Sequence, residues 1–202
     1  MQEYDESFFI TKANKRGGIT WFILMIIVSV YYGIKVGTGK LDVGYFFMFF
    51  TVGWLSLIIS KVLLKVKGED NKNYKWMLGI GYLLFYSVIA WTSLDQVSYV
   101  FILPLLSILI LYKDPKFIKV MMWITLFILL SSNMYKGLVK GMMDFVSSEE
   151  CALEFAVVIC CYVCTNMAIK HLVESDGALT ASIKGNLARV VKTVEQVKVA
   201  SN

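Results

Sequence analysis

Four cysteines, one histidine and a few acids and amides are the side chains whose types and spacing bear on chemistry in this sequence of 202 residues. Cys160, Cys161 and Cys164 fall in one apolar run, with Cys151 at its start. On a helix, Cys160 and Cys164 share a face at i,i+4, and Cys161 meets Cys164 at i,i+3. Two thiolates so placed are soft-metal donors in principle. The run holds no histidine to complete a ligand set, because His171 lies beyond it. The expectation is therefore packing by small apolar thiols, with no metal. Thiols at this end of the run would face a reducing compartment, where structural disulfides do not persist.

The carboxylates and amides point elsewhere. Asp95, Asn133 and Glu154 fall near the same ends of three different apolar runs. Together they could form a small polar pocket, the one ligand-binding candidate in the chain. No run carries an ionisable residue at its centre, which weighs against proton relays and charged-substrate transport. Thr51, Ser56, Ser87, Ser107, Thr125 and Asn166 are mild mid-run polar groups, suited to joining helices. No glycine-rich phosphate loop, nucleophile elbow or zinc signature is present. No catalytic residue, cofactor or nucleic-acid contact is assigned, and the chain is not expected to be an enzyme.

The elements that must position these groups are long and apolar. The composition is 57% hydrophobic and 17% charged, against about 25% charged in soluble domains. Mean hydropathy is +0.65. Six apolar runs stand out: Ile19–Val36, Val43–Leu64, Trp76–Leu94, Val97–Tyr112, Phe117–Tyr135 and Cys151–Ile169. A helix crosses a bilayer in about 20 residues, so the expected architecture is all-α, with six transmembrane helices. The first run is long for a signal peptide and is expected to be a retained span. Pro104 predicts a bend in the fourth run. Lys113–Asp114–Pro115–Lys116 predicts a tight turn that makes the fourth and fifth helices antiparallel neighbours. Gly17–Gly18 predicts a break before the first span. Leu138–Val146 predicts a short surface helix.

Charge sets the orientation. Lys12, Lys15, Arg16, Lys61, Lys65, Lys67, Lys72, Lys75, Lys113, Lys116, Lys119, Lys170, Lys184, Arg189, Lys192 and Lys198 fall on one side of a six-crossing chain. Only Lys35, Lys40, Lys136 and Lys140 fall on the other. The positive-inside rule then places both termini in the cytoplasm of a multi-pass cell-membrane protein, with the basic face against anionic lipid of the bilayer.

Beyond the last run the character changes. Ile183, Leu187, Val190, Val194 and Val197 follow spacings of four, three, four and three, which is a heptad seam. Such a stripe needs a partner, most simply the same segment of a second chain in a homodimer. The expected organisation is a cytoplasmic segment over 1–18, a membrane domain over 19–169, and a linker and dimeric helix over 170–202.

The sixth run, this linker and the closing Val-Lys-Thr-Val-Glu-Gln-Val-Lys-Val-Ala-Ser-Asn resemble the membrane-to-cytoplasm junction of methyl-accepting chemotaxis proteins of Clostridia-like bacteria. The resemblance implies a sensory input region whose last span drives a signalling coiled coil. It also implies that an adaptor and a histidine kinase bind a distal tip that comes after Asn202. Alternatives are the sensor region of a histidine kinase or diguanylate cyclase, or a small transporter.

Overall fold

The computed structural model describes residues 6–92, 100–143 and 149–200. Six helices account for most of them: α1 (Glu6–Gly37), α2 (Val43–Lys67), α3 (Tyr74–Thr92), α4 (Ile102–Leu111), α5 (Pro115–Leu138) and α6 (Glu149–Ala200). The described residues contain no strand.

Local chemistry explains several boundaries. At the end of α1, the Gly39 N–H donates to Val36 O and the Lys40 N–H to Lys35 O, both at 2.9 Å, with Gly39 at φ +69°. That is a Schellman closure, which needs the left-handed residue that glycine supplies. Asp42 opens α2 by accepting from the Tyr45 N–H at 3.1 Å. Asp114 opens α5 by accepting from the Lys116 and Phe117 N–H groups, with Pro115 at the first helical position. Burial pushes the Asp114 carboxyl up, but the Lys75 ammonium and those two N–H groups outweigh it and hold it below its ordinary value.

Helix α3 is the centre of the bundle. It packs on α2 and α5 most extensively and also touches α1 and α4. Gly79 and Gly81 make this possible. A Cβ at Gly81 would lie 2.8 Å from Trp21 of α1, and one at Gly79 would lie 2.9 Å from Phe117 of α5. Residues two apart on a helix point about 200° apart, so α3 offers a small residue to each neighbour. Its own Tyr82, Phe85 and Tyr86 are fully buried, as are Trp21, Met25, Phe49, Met121 and Tyr162 of the other helices.

The outer surface is as apolar as the core. In α1, Trp21, Met25, Val28 and Tyr32 are buried while Ile19, Ile23, Ile27, Val30 and Ile34 are exposed. In α5, Met121, Thr125, Ile128 and Ser132 face in, and Trp123, Phe127, Leu130 and Met134 face out. Helices apolar on both faces, with the outward faces uncovered, are those of a protein whose solvent is lipid. This is a compact all-α domain of the multi-pass membrane kind.

The expectation of six spans followed by a separate cytoplasmic helix is corrected. Among the described residues, four helices are long and apolar enough to cross a membrane: Ser7–Gly37, Val43–Lys67, Pro115–Leu138 and Cys151–Lys198. Helix α3 does not qualify because its interior place replaces lipid-facing aliphatics with glycine and with Tyr74, Tyr82 and Tyr86, which are buried. Helix α4 has ten residues. These rise about 15 Å, half the hydrocarbon thickness. Nor is there a separate last helix, since α6 runs unbroken for 52 residues across the expected boundary at 169–170.

Three smaller expectations also change. Gly17 and Gly18 do not break α1, which is continuous. They let it approach its neighbours, a Cβ at Gly17 lying 3.4 Å from Leu78 and one at Gly18 lying 3.2 Å from the Tyr74 hydroxyl. Pro104 sits in the first turn of α4, where a missing N–H breaks no helical bond. Of the expected surface helix, Leu138 belongs to α5. Phe145 and Val146 lie outside the described residues.

Many of the basic residues gather at one end. Asn14 of α1 donates to Glu69 O at 2.9 Å and Asn71 O at 3.2 Å in the α2–α3 turn. Lys15 pairs with Glu69 and Lys75 with Asp114, each at 2.6 Å. Lys113, in the α4–α5 turn with φ +47°, pairs with Asp176 of α6.

Candidate functional site

At the opposite end, α5 and α6 bring four polar side chains together. Asn133 and Lys136 are i,i+3 on α5, and Cys151 and Glu154 are i,i+3 on α6, so each pair shares a face. The Asn133 side-chain amide donates to Cys151 Sγ at 3.1 Å. The Lys136 ammonium and Glu154 carboxylate attract each other, and both act electrostatically on Cys151. All four are nearly withdrawn from the surface, Lys136 at 3% and Glu154 at 7% exposure.

Neighbouring contacts hold the frame. Ser132 Oγ donates to Ala90 O of α3 at 2.6 Å. Further along the interface, the Thr125 and Tyr162 hydroxyls meet at 2.7 Å. Trp91 stacks on Tyr135 at 5.6 Å between centroids, tying the ends of α3 and α5. Elsewhere Trp54 Nε1 donates to Ser29 Oγ at 3.0 Å, joining α2 to α1. These hydroxyls act as interhelical joints.

Of the three residues expected to form a polar pocket, Asn133 and Glu154 belong to this cluster, and Asp95 lies outside the described residues. Lys136 and Cys151 were not expected there. Lys136 reads in the sequence as one of several lysines of a join, and Cys151 as a packing thiol. The i,i+3 spacings Asn133–Lys136 and Cys151–Glu154 are the signal that could have found them. An ammonium opposite a carboxylate, beside a thiol and an amide, is a set that holds charge out of water by mutual compensation. It offers a polar ligand both a donor and an acceptor.

The other cysteines lie further along α6, away from this cluster, with the Cys164 thiol within hydrogen-bonding reach of Cys160. Cys160 and Cys164 are exposed and Cys161 is half-buried, so two of the thiols expected to pack in the interior lie on the outer face of α6. Among the described residues no group of His, Cys, Asp or Glu has the arrangement of a metal site.

The heptad residues occupy the far part of α6. Every described side chain from Lys170 to Lys198 is exposed. Ile183, Leu187, Val190, Val194 and Val197 are exposed by 58–63%. From Cys151 to Asp176 the helix rises roughly 37 Å, and from Asp176 to Ala200 about another 36 Å. Asp176, tied to Lys113, therefore marks where α6 leaves the bundle.

No family model matches this chain, and no curated protein or solved structure matches it either. The reading as a chemoreceptor input region is corrected accordingly, together with the kinase, cyclase and transporter readings beside it. What stands is a helical membrane-associated domain with one helix that outruns its bundle.

Proposed function

We infer that this chain is a membrane anchor that presents a self-pairing helix at the cytoplasmic face. The observation that carries the reading is the unbroken course of α6, from the buried Cys151 and Glu154 at one end of the bundle to an uncovered apolar stripe beyond Asp176. The occupant of that stripe is the same stripe of a second copy, in parallel. A seam of about two heptads is marginal for free peptides. Two copies held in one bilayer with their helices emerging side by side meet at high effective concentration, which offsets the shortness. The cytoplasmic assignment rests on the gathering of lysines at the end from which α6 emerges.

Cysteine cross-linking in membranes tests the pairing, in a chain with Cys160, Cys161 and Cys164 replaced by alanine. Val190→Cys and Val194→Cys should each give disulfide-linked dimers, whereas Lys192→Cys, on the opposite face, should not. Dimers at none of these positions, or equally at all three, would refute a specific seam.

A further inference from the structure

At the basic end, residues of α1, α2 and the α2–α3 turn line a cleft of about 540 Å³. Its walls change character with depth. Ile19 and Leu64 belong to the apolar stretches, while Lys15, Lys61 and Lys65 line the same cleft where those stretches end. Lys61 and Lys65 are i,i+4 and share one face of α2. The Lys61 ammonium lies 4.9 Å from the centre of the Phe22 ring on α1, which holds it over the gap between the helices. Neither Lys61 nor Lys65 has an acidic partner among the described residues. The one acid in the lining, Glu69, is engaged by Lys15 at 2.6 Å. Three lysines against one glutamate leave the cleft positive.

A buried acceptor completes it. Asn14 lines the cleft and is 0% exposed. Its amide nitrogen is spent on the carbonyls of Glu69 and Asn71, and its Oδ1 receives no hydrogen bond. A buried acceptor left without a donor is costly, and a ligand hydroxyl would relieve it. Gly18, one turn along α1 from Asn14, lines the same cleft and lets Tyr74 close against α1, since a Cβ there would lie 3.2 Å from the Tyr74 hydroxyl.

The geometry points to a binding site for the headgroup of an anionic phospholipid that carries a free hydroxyl, a phosphoglycerol. Lys61 and Lys65 bind its phosphate. A headgroup hydroxyl donates to Asn14 Oδ1, and the acyl chains leave along Ile19 and Leu64 into the bilayer. This goes beyond the anchoring role, because it names a site and a ligand class and does not depend on pairing of α6.

The test is native mass spectrometry of the full chain in detergent, titrated with phosphatidylglycerol or phosphatidylcholine. One phosphatidylglycerol per chain should be retained in preference to phosphatidylcholine. Lys61→Gln with Lys65→Gln, both exposed and outside any ion pair, should weaken it by roughly tenfold or more. Lys12→Gln with Arg16→Gln removes the same charge from the same end but outside the cleft, and should leave binding within about twofold. Equal weakening by both double variants would reduce the effect to diffuse surface charge and overturn the site. Equal retention of the two lipids would overturn the ligand class. Displacement of the lipid by equimolar soluble glycerol 1-phosphate would overturn the lipid assignment in favour of a free phosphate ester.

Discussion

Glu154 and Lys136 show how this protein handles charge where lipid is the solvent. Neither residue tolerates isolation at such low exposure, and each supplies the other's compensation. Glu154→Gln keeps the shape, removes the negative charge and leaves the Lys136 ammonium less compensated. We expect this to cost about 1–3 kcal/mol, read as a lowered thermal midpoint in detergent. The double variant Glu154→Gln with Lys136→Met should recover most of the loss, because no partly compensated cation remains. A double variant as unstable as the single one would show that the two side chains do not act as a pair. Much of this site was legible residue by residue. Asn133 and Glu154 stand out as polar groups near run ends. The roles of Lys136 and Cys151 were not legible, because whether a residue near a helix end turns toward water or toward a neighbouring helix depends on the rotation of α5 against α6.

At the scale of elements, α3 decides the packing. Its Gly81 meets the rigid ring of Trp21, so added volume there cannot be absorbed by a flexible end. Gly81→Ala should therefore destabilise the bundle by about 1–3 kcal/mol through its collision with Trp21. Gly33 in α1 has open space around its Cβ position. Gly33→Ala should instead stabilise by up to about 1 kcal/mol through helix propensity alone. Thermal unfolding of the two variants in one detergent separates these signs, and equal shifts would mean that the α1–α3 approach is looser than described. Element type was readable from hydropathy, and the join at Asp114–Pro115 from turn chemistry. The lengths were not. The sequence reads Trp76–Leu94 and Val97–Tyr112 as spans because they are apolar, yet apolarity alone does not distinguish a helix that faces lipid from one that faces other helices.

For the molecule as a whole, the distribution of lysine sets direction. Lysines of α1, the first turn of α3 and the α4–α5 turn meet at the end from which α6 emerges. A reporter active only in the cytoplasm, fused after Asn202, should be active. A second fusion in the turn at Gly39–Lys40 should be silent. The reverse pattern would invert the orientation and move the emergent part of α6 to the opposite face. The bundle and the emergent part of α6 are thus two regions of one helix-linked body, the first packed in its interior, the second exposed along its apolar stripe.

The amino-acid sequence by itself determined the apolar, helical character of the molecule and the uneven distribution of its basic residues. These follow from local quantities: transfer free energy per residue, helix geometry, and the count of basic groups in each join. It also determined the heptad stripe, which is a property of spacing along one helix. The tertiary structure decided which apolar helices face lipid and which fill the interior, that Gly17–Gly18 admits close approach without breaking α1, and that α6 is a single rod. It also decided that Asn14, Lys61 and Lys65, far apart in the chain, line one cleft. Those outcomes depend on how helices rotate and pack against one another, and a single sequence's periodicity does not specify the partner of each face.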